Sequence, residues 1–372
     1  MKQLTFSLLA FLFVLKVTAQ SPTVTLPAGG GNLKSGISQH IGITEVAVNW
    51  DAPGVKGREG KIWGTPLVHY GYQNLGFGTS KSAPWRAGAN ENTTISFSTD
   101  VSVEGKPLTA GKYGFFIAVY ADSCTIIFSK NNSAWGSFFY DASEDALRVT
   151  VRQQKDLPAS RERLSYEFSD QTETSATIAL LWERWRIPFR VSVDLQKVTL
   201  QGLRRELQGE KGFMYENWYA AAQFCLQQNT NLEEALTWAD NAINPFFGVQ
   251  TFTTISLKSQ IQEKLGRTAD AEATMKKAME KGTHFELHGY GRQLLTEKKY
   301  DQALAVFETN YKKHNGEWPT NVGLMRGYSA TGNLKKALEH AKAALPQAPD
   351  DINRTSIENS IKTLSAGKAL TQ

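Results

Sequence analysis

The chain has 372 residues, of which 41% are hydrophobic and 21% charged, so we expect a globular protein of two or three domains. A formal net charge of +5 is too small for a protein that tracks nucleic-acid phosphates, and no nucleic-acid partner is expected. Two cysteines are too few for a disulfide framework or a zinc cluster. We expect Cys124 and Cys225 to be small buried side chains, with a disulfide between them as the alternative.

The first nineteen residues have the pattern of a secretory signal peptide. Lys2 supplies the positive start, residues 4–15 form an apolar run, and compact residues at Val17 and Ala19 precede a cleavage site at Gln20. The run is shorter than a membrane-spanning helix, and no later stretch is apolar for 18 residues. The sequence therefore predicts an exported protein, periplasmic or extracellular, that is soluble after the signal peptide is removed and has no transmembrane segment.

Residues 20–37 contain two prolines and a run of three glycines, which predicts a flexible leader or, at most, a poorly specified first strand. From Ile41 the composition becomes typical of β-strands, and Ile43, Val46 and Val48 begin the pattern. Runs rich in β-branched and aromatic residues cover 93–97, 113–120, 125–128, 147–151, 164–168, 176–182 and 189–193. Because no helical pattern separates these runs, we predict an antiparallel β-sandwich or jelly-roll domain over residues 38–199.

After residue 200 the hydrophobic period becomes helical, and alanines recur at a spacing near 34 residues. The repeated alanines are Ala235, Ala271, Ala303 and Ala337, and seven residues after them stand Ala242, Ala278, Asn310 and Ala344. Residues 203–370 therefore resemble a tetratricopeptide array, in which small residues let antiparallel helices approach closely. We predict a TPR-like helical solenoid over residues 200–372. Its groove would hold a protein or peptide partner, or the array would serve as a rigid spacer.

A candidate ligand site lies just before a predicted strand. Trp85, Arg86, Asn90 and Glu91 bring together an aromatic ring, a guanidinium, an amide and a carboxylate. Such groups bind small polar ligands, and an arginine can bind a carboxylate or phosphate through two hydrogen bonds. The alternative is a strand-entry turn in which Arg86 pairs with Glu91 and Trp85 packs beneath them.

A glycine-rich loop with two cations forms the rim of this candidate site. Lys56 and Arg58 alternate with glycines, and Trp63 follows, although solvated loop charges and a core tryptophan explain the same residues. The spacing is not that of a phosphate-binding P-loop. We predict a glycan or a small anion as the ligand.

These segments resemble the blocks of a secreted bacterial family called domain of unknown function 2911. The blocks are PGVKGR at 53–58, IWG at 62–64, WRAGANE at 85–91, AGKYG at 110–114, WG at 135–136 and LWE at 181–183. The resemblance covers about residues 38–196 and implies an exported β-domain, often followed by helical repeats, with no assigned activity. The chain departs from the family at residues 71–84, a segment longer than the usual connection.

Two other functions remain open from the sequence. Glu91 with Asp51 or His69 would supply the acid–base groups of an exported hydrolase, and a purely structural or assembly protein of the envelope would need neither. His284 and His288 share one predicted helix face, but a third ligand is not evident. No metal site and no cofactor are therefore expected.

Overall fold

The computed structural model describes residues 31–371. The chain forms two compact units that divide between Thr199 and Leu200. The predicted signal peptide and residues 20–30 of the predicted leader lie outside the described residues. Within the described range, none of the helices has both the length and the apolar character that crossing a membrane requires.

The first unit contains two antiparallel sheets, which confirms the predicted β-sandwich. Its strands are β1 Leu33–Ile41, β2 Thr44–Ala52, β3 Thr94–Phe97, β4 Val101–Val103, β5 Lys106–Leu108, β6 Gly111–Val119, β7 Cys124–Ser129, β8 Asp145–Val151, β9 Arg161–Ser169, β10 Ser175–Glu183 and β11 Trp185–Ser192. One sheet has the order β1-β2-β3-β6-β7-β8 and the other the order β5-β4-β11-β10-β9. Aromatic rings join the two sheets: the centroids of Phe115 on β6 and Phe189 on β11 are 5.6 Å apart.

Strand β1 corrects the predicted end of the flexible leader. Residues 33–37, assigned to that leader, lie in β1, which pairs along its whole length with β2. Because β1 is an edge strand, it has polar side chains such as Lys34 and Gln39, and it lacks the hydrophobic pattern by which strands are recognised. The short strands β4 and β5 were also not predicted, because three residues each are too few to show a period.

The second unit consists of helices, which confirms the predicted helical repeats. They are α1 Leu195–Glu206, which begins before the unit boundary, α2 Tyr215–Gln227, α3 Leu232–Ala242, α4 Phe252–Lys264, α5 Thr268–Lys281, α6 His284–Thr296, α7 Tyr300–Lys313, α8 Trp318–Ala330, α9 Leu334–Ala344 and α10 Asp351–Ser365. The four periodic alanines occupy the fourth position of α3, α5, α7 and α9, and all four are buried. Each repeat thus places its smallest side chain where a neighbouring helix packs closest.

The third repeat replaces the second alanine by Asn310. Asn310 is fully buried, and its amide donates a hydrogen bond of 2.9 Å to the carbonyl of His284 on α6. Phe307, one turn earlier, packs against Gly291 on α6 and Gly323 on α8, where a β-carbon would come within 2.3 and 2.5 Å of its ring. In this repeat the large ring of Phe307 therefore packs between two glycines and joins α7 to the helices on either side.

Both cysteines are free and buried. Burial raises the pKa of Cys124 on β7 to about 12 and the pKa of Cys225 on α2 to about 11. Each thiol is a small buried side chain in a core of its own unit, as expected, and the alternative disulfide is not formed.

Candidate functional site

Residues 85–91 form a connecting segment that backbone and buried side-chain contacts hold in place. Trp85 and Ile117 on β6 exchange two backbone hydrogen bonds of 2.9 and 3.1 Å. Two residues later, the carbonyl of Ala87 accepts a hydrogen bond of 2.8 Å from the buried hydroxyl of Tyr166 on β9. Ala87 and Asn90 both have positive φ angles, of 49° and 54°, so the chain turns sharply twice within the segment.

Two clefts, each of about 440 Å³, border this segment. The first, which we call the basic cleft, is lined by Asn32, Pro53, Lys56, Arg58, Pro66, Leu67, His69, Leu75, Pro84, Trp85, Arg86, Gly88, Ala89, Asn90, Ser137 and Trp182. The second, the Trp135 cleft, is lined by Lys34, Ser35, Asn49, Trp50, Asp51, Glu91, Asn92, Thr94, Lys112, Asn132, Ser133, Ala134 and Trp135. Consecutive residues Asn90 and Glu91 thus belong to different clefts.

Arg86 is the most enclosed cation of the basic cleft. Its guanidinium donates a hydrogen bond of 2.8 Å to the carbonyl of Asn90 and lies 4.9 Å from the ring centroid of Phe138. It also lies against Gly136, where a β-carbon would come within 2.4 Å of the guanidinium carbon. Burial lowers the pKa of Arg86, yet an arginine keeps its charge in proteins. The predicted ion pair with Glu91 is not formed, because Glu91 pairs with Lys34 instead.

Lys56 and Arg58 lie in a loop that folds back on itself. The Arg58 side chain donates hydrogen bonds of 2.9 and 2.7 Å to the carbonyls of Val55 and Gly54, while Lys56 is exposed at the rim. None of the residues that line the basic cleft is an aspartate or a glutamate. Its charged side chains are therefore all positive.

Two more polar groups of the basic cleft are buried without a hydrogen-bond partner among residues 31–371. They are Nδ1 of His69, whose side chain is 6% exposed, and the indole N–H of Trp182. Burial lowers the pKa of His69, so its imidazole is neutral at neutral pH. The indole N–H is a donor only, so an oxygen of a ligand would satisfy it.

The tryptophans beside this cleft belong to the core. Trp63 stacks on Trp185 with centroids 4.4 Å apart and meets Trp85 edge to face at 5.7 Å. Trp85 in turn stacks on Trp182 at 6.1 Å. Trp63 does not line either cleft, so it supports the site from below.

A lysine holds together the two carboxylates of the Trp135 cleft. Lys34 on β1 lies directly opposite Asp51 on β2, with 3.7 Å between its ammonium and the Asp51 carboxylate, and it donates a hydrogen bond of 2.6 Å to Glu91. This hydrogen bond raises the pKa of Lys34. The residues named for a hydrolase are thus divided, because Asp51 and Glu91 meet at Lys34 while His69 lines the basic cleft.

The structure brings Lys56, Arg58, Trp85, Arg86 and Asn90 of the predicted site together at one cleft. Residues 71–84, the segment that is longer than usual for the family, contribute Leu75 and Pro84 to the same cleft. Sequence reasoning missed Lys34, Trp182 and Ser137 as lining residues. The sequence carried no signal for Lys34, because it reaches the Trp135 cleft only through the pairing of β1 with β2.

The two histidines considered as metal ligands have other surroundings. His284 pairs with Glu317 at 2.7 Å, and the ring of His288 lies 5.8 Å from the ring of Phe307. Burial lowers the pKa of His288 to about 4. Within the part of the chain that the structure describes, three or more histidine, cysteine or acidic side chains nowhere gather as a metal site would need.

A family model matches the β-unit. It is described as "Protein of unknown function (DUF2911)" and matches residues 33–191, from β1 to β11. Residues 33–191 carry the match to this family model, and we refer to them below as the DUF2911 domain. Both clefts of this DUF2911 domain are lined by residues of the sequence blocks that predicted the family, with Arg86 and Asn90 in one cleft and Glu91 and Trp135 in the other.

A tetratricopeptide-repeat model matches residues 294–355 after the DUF2911 domain. Repeats of this kind are typical of protein-interaction scaffolds. Two solved structures are similar to the chain. MamA from residue 41 onward, from Desulfovibrio magneticus RS-1, has 17% identity, covers 42% of this chain and 95% of its own, and gives a TM-score of 0.27. A tetratricopeptide repeat protein from Parabacteroides merdae has 15% identity, covers 44% of this chain and 64% of its own, and gives a TM-score of 0.29. No curated protein matches the chain.

Proposed function

We propose that this protein is an exported binding protein whose DUF2911 domain holds a small anionic ligand in the basic cleft, while its helical repeats bind a protein partner. The observation that carries the proposal is the composition of the cleft. Lys56, Arg58 and Arg86 line it, and no carboxylate among the lining residues neutralises them.

Donors of the cleft favour an anion over a cation or a neutral ligand. Arg86 has no partner among the ion pairs of residues 31–371, and the indole N–H of Trp182 is unsatisfied. A carboxylate or phosphate would accept hydrogen bonds from the Arg86 guanidinium. Such charge-assisted bonds are stronger than neutral ones, most of all where water is partly excluded, as it is around Arg86.

Calorimetric titration of the full-length protein with three matched sugars tests this assignment. Glucose 6-phosphate and glucuronate carry an anionic group on the same ring that glucose presents without one. We expect the two anions to bind at least about tenfold more tightly than glucose, because a hydrogen bond to a charged group contributes about 1.5–3 kcal/mol. Equal binding of all three sugars would overturn the proposal.

Two variants and one control locate the site. Arg86→Gln should remove the preference for the anionic sugars, and Lys56→Gln, at the exposed rim, should reduce it a few-fold. Lys61→Gln removes one positive charge close to the same loop, but Lys61 does not line the cleft, so the preference should persist. If Lys61→Gln weakened binding as much as Arg86→Gln, the effect would be one of overall charge and not of this cleft.

A further inference from the structure

A second binding site lies in the DUF2911 domain beyond the basic cleft, and we propose that the Trp135 cleft binds a neutral oligosaccharide. Three features of the cleft carry this inference: an exposed aromatic ring, a floor of amide and hydroxyl groups, and a balance of opposite charges. The inference does not depend on an anion in the basic cleft.

The aromatic ring is that of Trp135, whose side chain is 54% exposed. It has no ring partner among the aromatic pairs of residues 31–371. By contrast, Trp63 packs on three other indoles, those of Trp85, Trp182 and Trp185. Leaving so large an apolar surface in water is unfavourable, and the apolar C–H face of a sugar ring would cover it.

The polar floor comes from the outer face of the larger sheet. Asn49 on β2 lies opposite Thr94 on β3, and Thr94 lies opposite Gly114 on β6, so the three residues share one face. At Gly114 a β-carbon would lie 2.2 Å from the carbonyl oxygen of Asn131 and 2.5 Å from the amide nitrogen of Asn92. The glycine therefore lets the amides of the neighbouring loops approach the sheet and line the cleft.

Two oxygens of these lining residues accept no hydrogen bond. Oδ1 of Asp51, whose side chain is 4% exposed, lies 3.7 Å from the Lys34 ammonium but accepts no hydrogen bond, and Oδ1 of Asn92 is likewise buried without a hydrogen-bond partner among the described residues. Hydroxyl groups of a sugar are donors as well as acceptors, so they can satisfy these oxygens and bind the neighbouring amides in turn.

The charges of the cleft favour a neutral ligand. Two lysines, Lys34 and Lys112, and two carboxylates, Asp51 and Glu91, line it. Lys34 lies between the two carboxylates. The carboxylates would repel an anion, and the two lysines would repel a cation. A neutral ligand with many hydroxyl groups would be repelled by neither sign.

Saturation-transfer NMR on the full-length protein, with maltohexaose, cellohexaose and chitohexaose as probes, tests the site. At least one hexasaccharide, at about 5 mM, should receive saturation, most strongly at its ring C–H protons. Trp135→Ala should weaken that binding at least about tenfold, because it removes the stacking surface. Asn49→Ala, a second exposed lining residue, should weaken it a few-fold.

Two variants act as controls. Phe77→Ala removes an aromatic ring that is 66% exposed but does not line this cleft, and it should leave binding unchanged. Lys61→Gln, at a charged residue that also lies outside this cleft, should leave it unchanged as well. Absence of saturation transfer to all three probes, or binding that survives in Trp135→Ala, would overturn the inference.

Discussion

The basic cleft and the Trp135 cleft have the same volume and border the same segment of chain, yet their charges and aromatic rings are arranged in opposite ways. In the basic cleft the tryptophans are buried and stacked, and the cations have no acidic partner in the lining. In the Trp135 cleft Trp50 is buried but Trp135 is exposed, and Lys34 holds both carboxylates. A single family block, residues 85–91, can therefore serve two clefts whose chemistry selects different classes of ligand.

The largest expected difference between the clefts concerns stability. Trp85 is 6% exposed and packs on two other indoles, so Trp85→Ala should lower the free energy of unfolding by about 3–5 kcal/mol. Trp135→Ala removes a ring of equal size that is 54% exposed, and it should cost less than about 0.5 kcal/mol. Urea denaturation followed by circular dichroism compares the two variants. Similar losses would show that Trp135 is part of the packed core, which would contradict its proposed role.

A change in the shared segment should affect both clefts at once. The Tyr166 hydroxyl donates to the carbonyl of Ala87, and both groups are buried. Tyr166→Phe leaves that carbonyl without a partner and should lower the free energy of unfolding by about 1–2 kcal/mol. It should also weaken glucuronate binding, measured by calorimetry, and oligosaccharide binding, measured by saturation-transfer NMR, each a few-fold. Tyr70→Phe, on an exposed ring, is the matched control. If only one of the two ligands bound more weakly, residues 85–91 would not be a wall that the two clefts share.

The smallest expected effect is one of pH, and it should be confined to the basic cleft. Burial lowers the pKa of His69 below its ordinary 6.5, so the imidazole is neutral at pH 7.5 and gains a positive charge only as the pH falls. Affinity for glucuronate, whose own charge is constant in this range, should therefore rise about two- to fivefold between about pH 7.5 and 5.5. His69→Gln should remove the rise. The Trp135 cleft contains no histidine, so oligosaccharide binding should not change in this range. A pH response that persists in His69→Gln would assign it to another group.

Much of the fold could be predicted from local patterns. The strands β2, β3 and β6–β11 were recognised because β-branched and aromatic residues concentrate there, and the repeats because four alanines take the same position in α3, α5, α7 and α9. Strand β1 was only a weak alternative to a flexible leader, since an edge strand with polar side chains has no hydrophobic signal. Strand β1 forms through its pairing with β2, a tertiary contact that local sequence patterns do not show.

The candidate site was predicted as one cluster, and the structure divides it. Arg86, Asn90 and Glu91 are close in sequence, but the positive φ angle of Asn90 turns the chain, and Glu91 enters the next cleft. The sequence did not indicate the partner of Glu91 either, because Lys34 reaches Glu91 only through the pairing of β1 with β2. Residue types therefore indicated the chemistry, while backbone dihedrals and strand register decided which side chains act together.

The burial of both thiols has a practical consequence for studying these clefts. Cys124 and Cys225 are the only cysteines of the chain, both are free, and burial raises the pKa of each, so neither forms much reactive thiolate at neutral pH. A cysteine placed at Ser133, an exposed position on the Trp135 cleft, would be the one site that a maleimide dye modifies. The protein thus accepts a single spectroscopic reporter at the edge of a cleft without first being stripped of its natural cysteines.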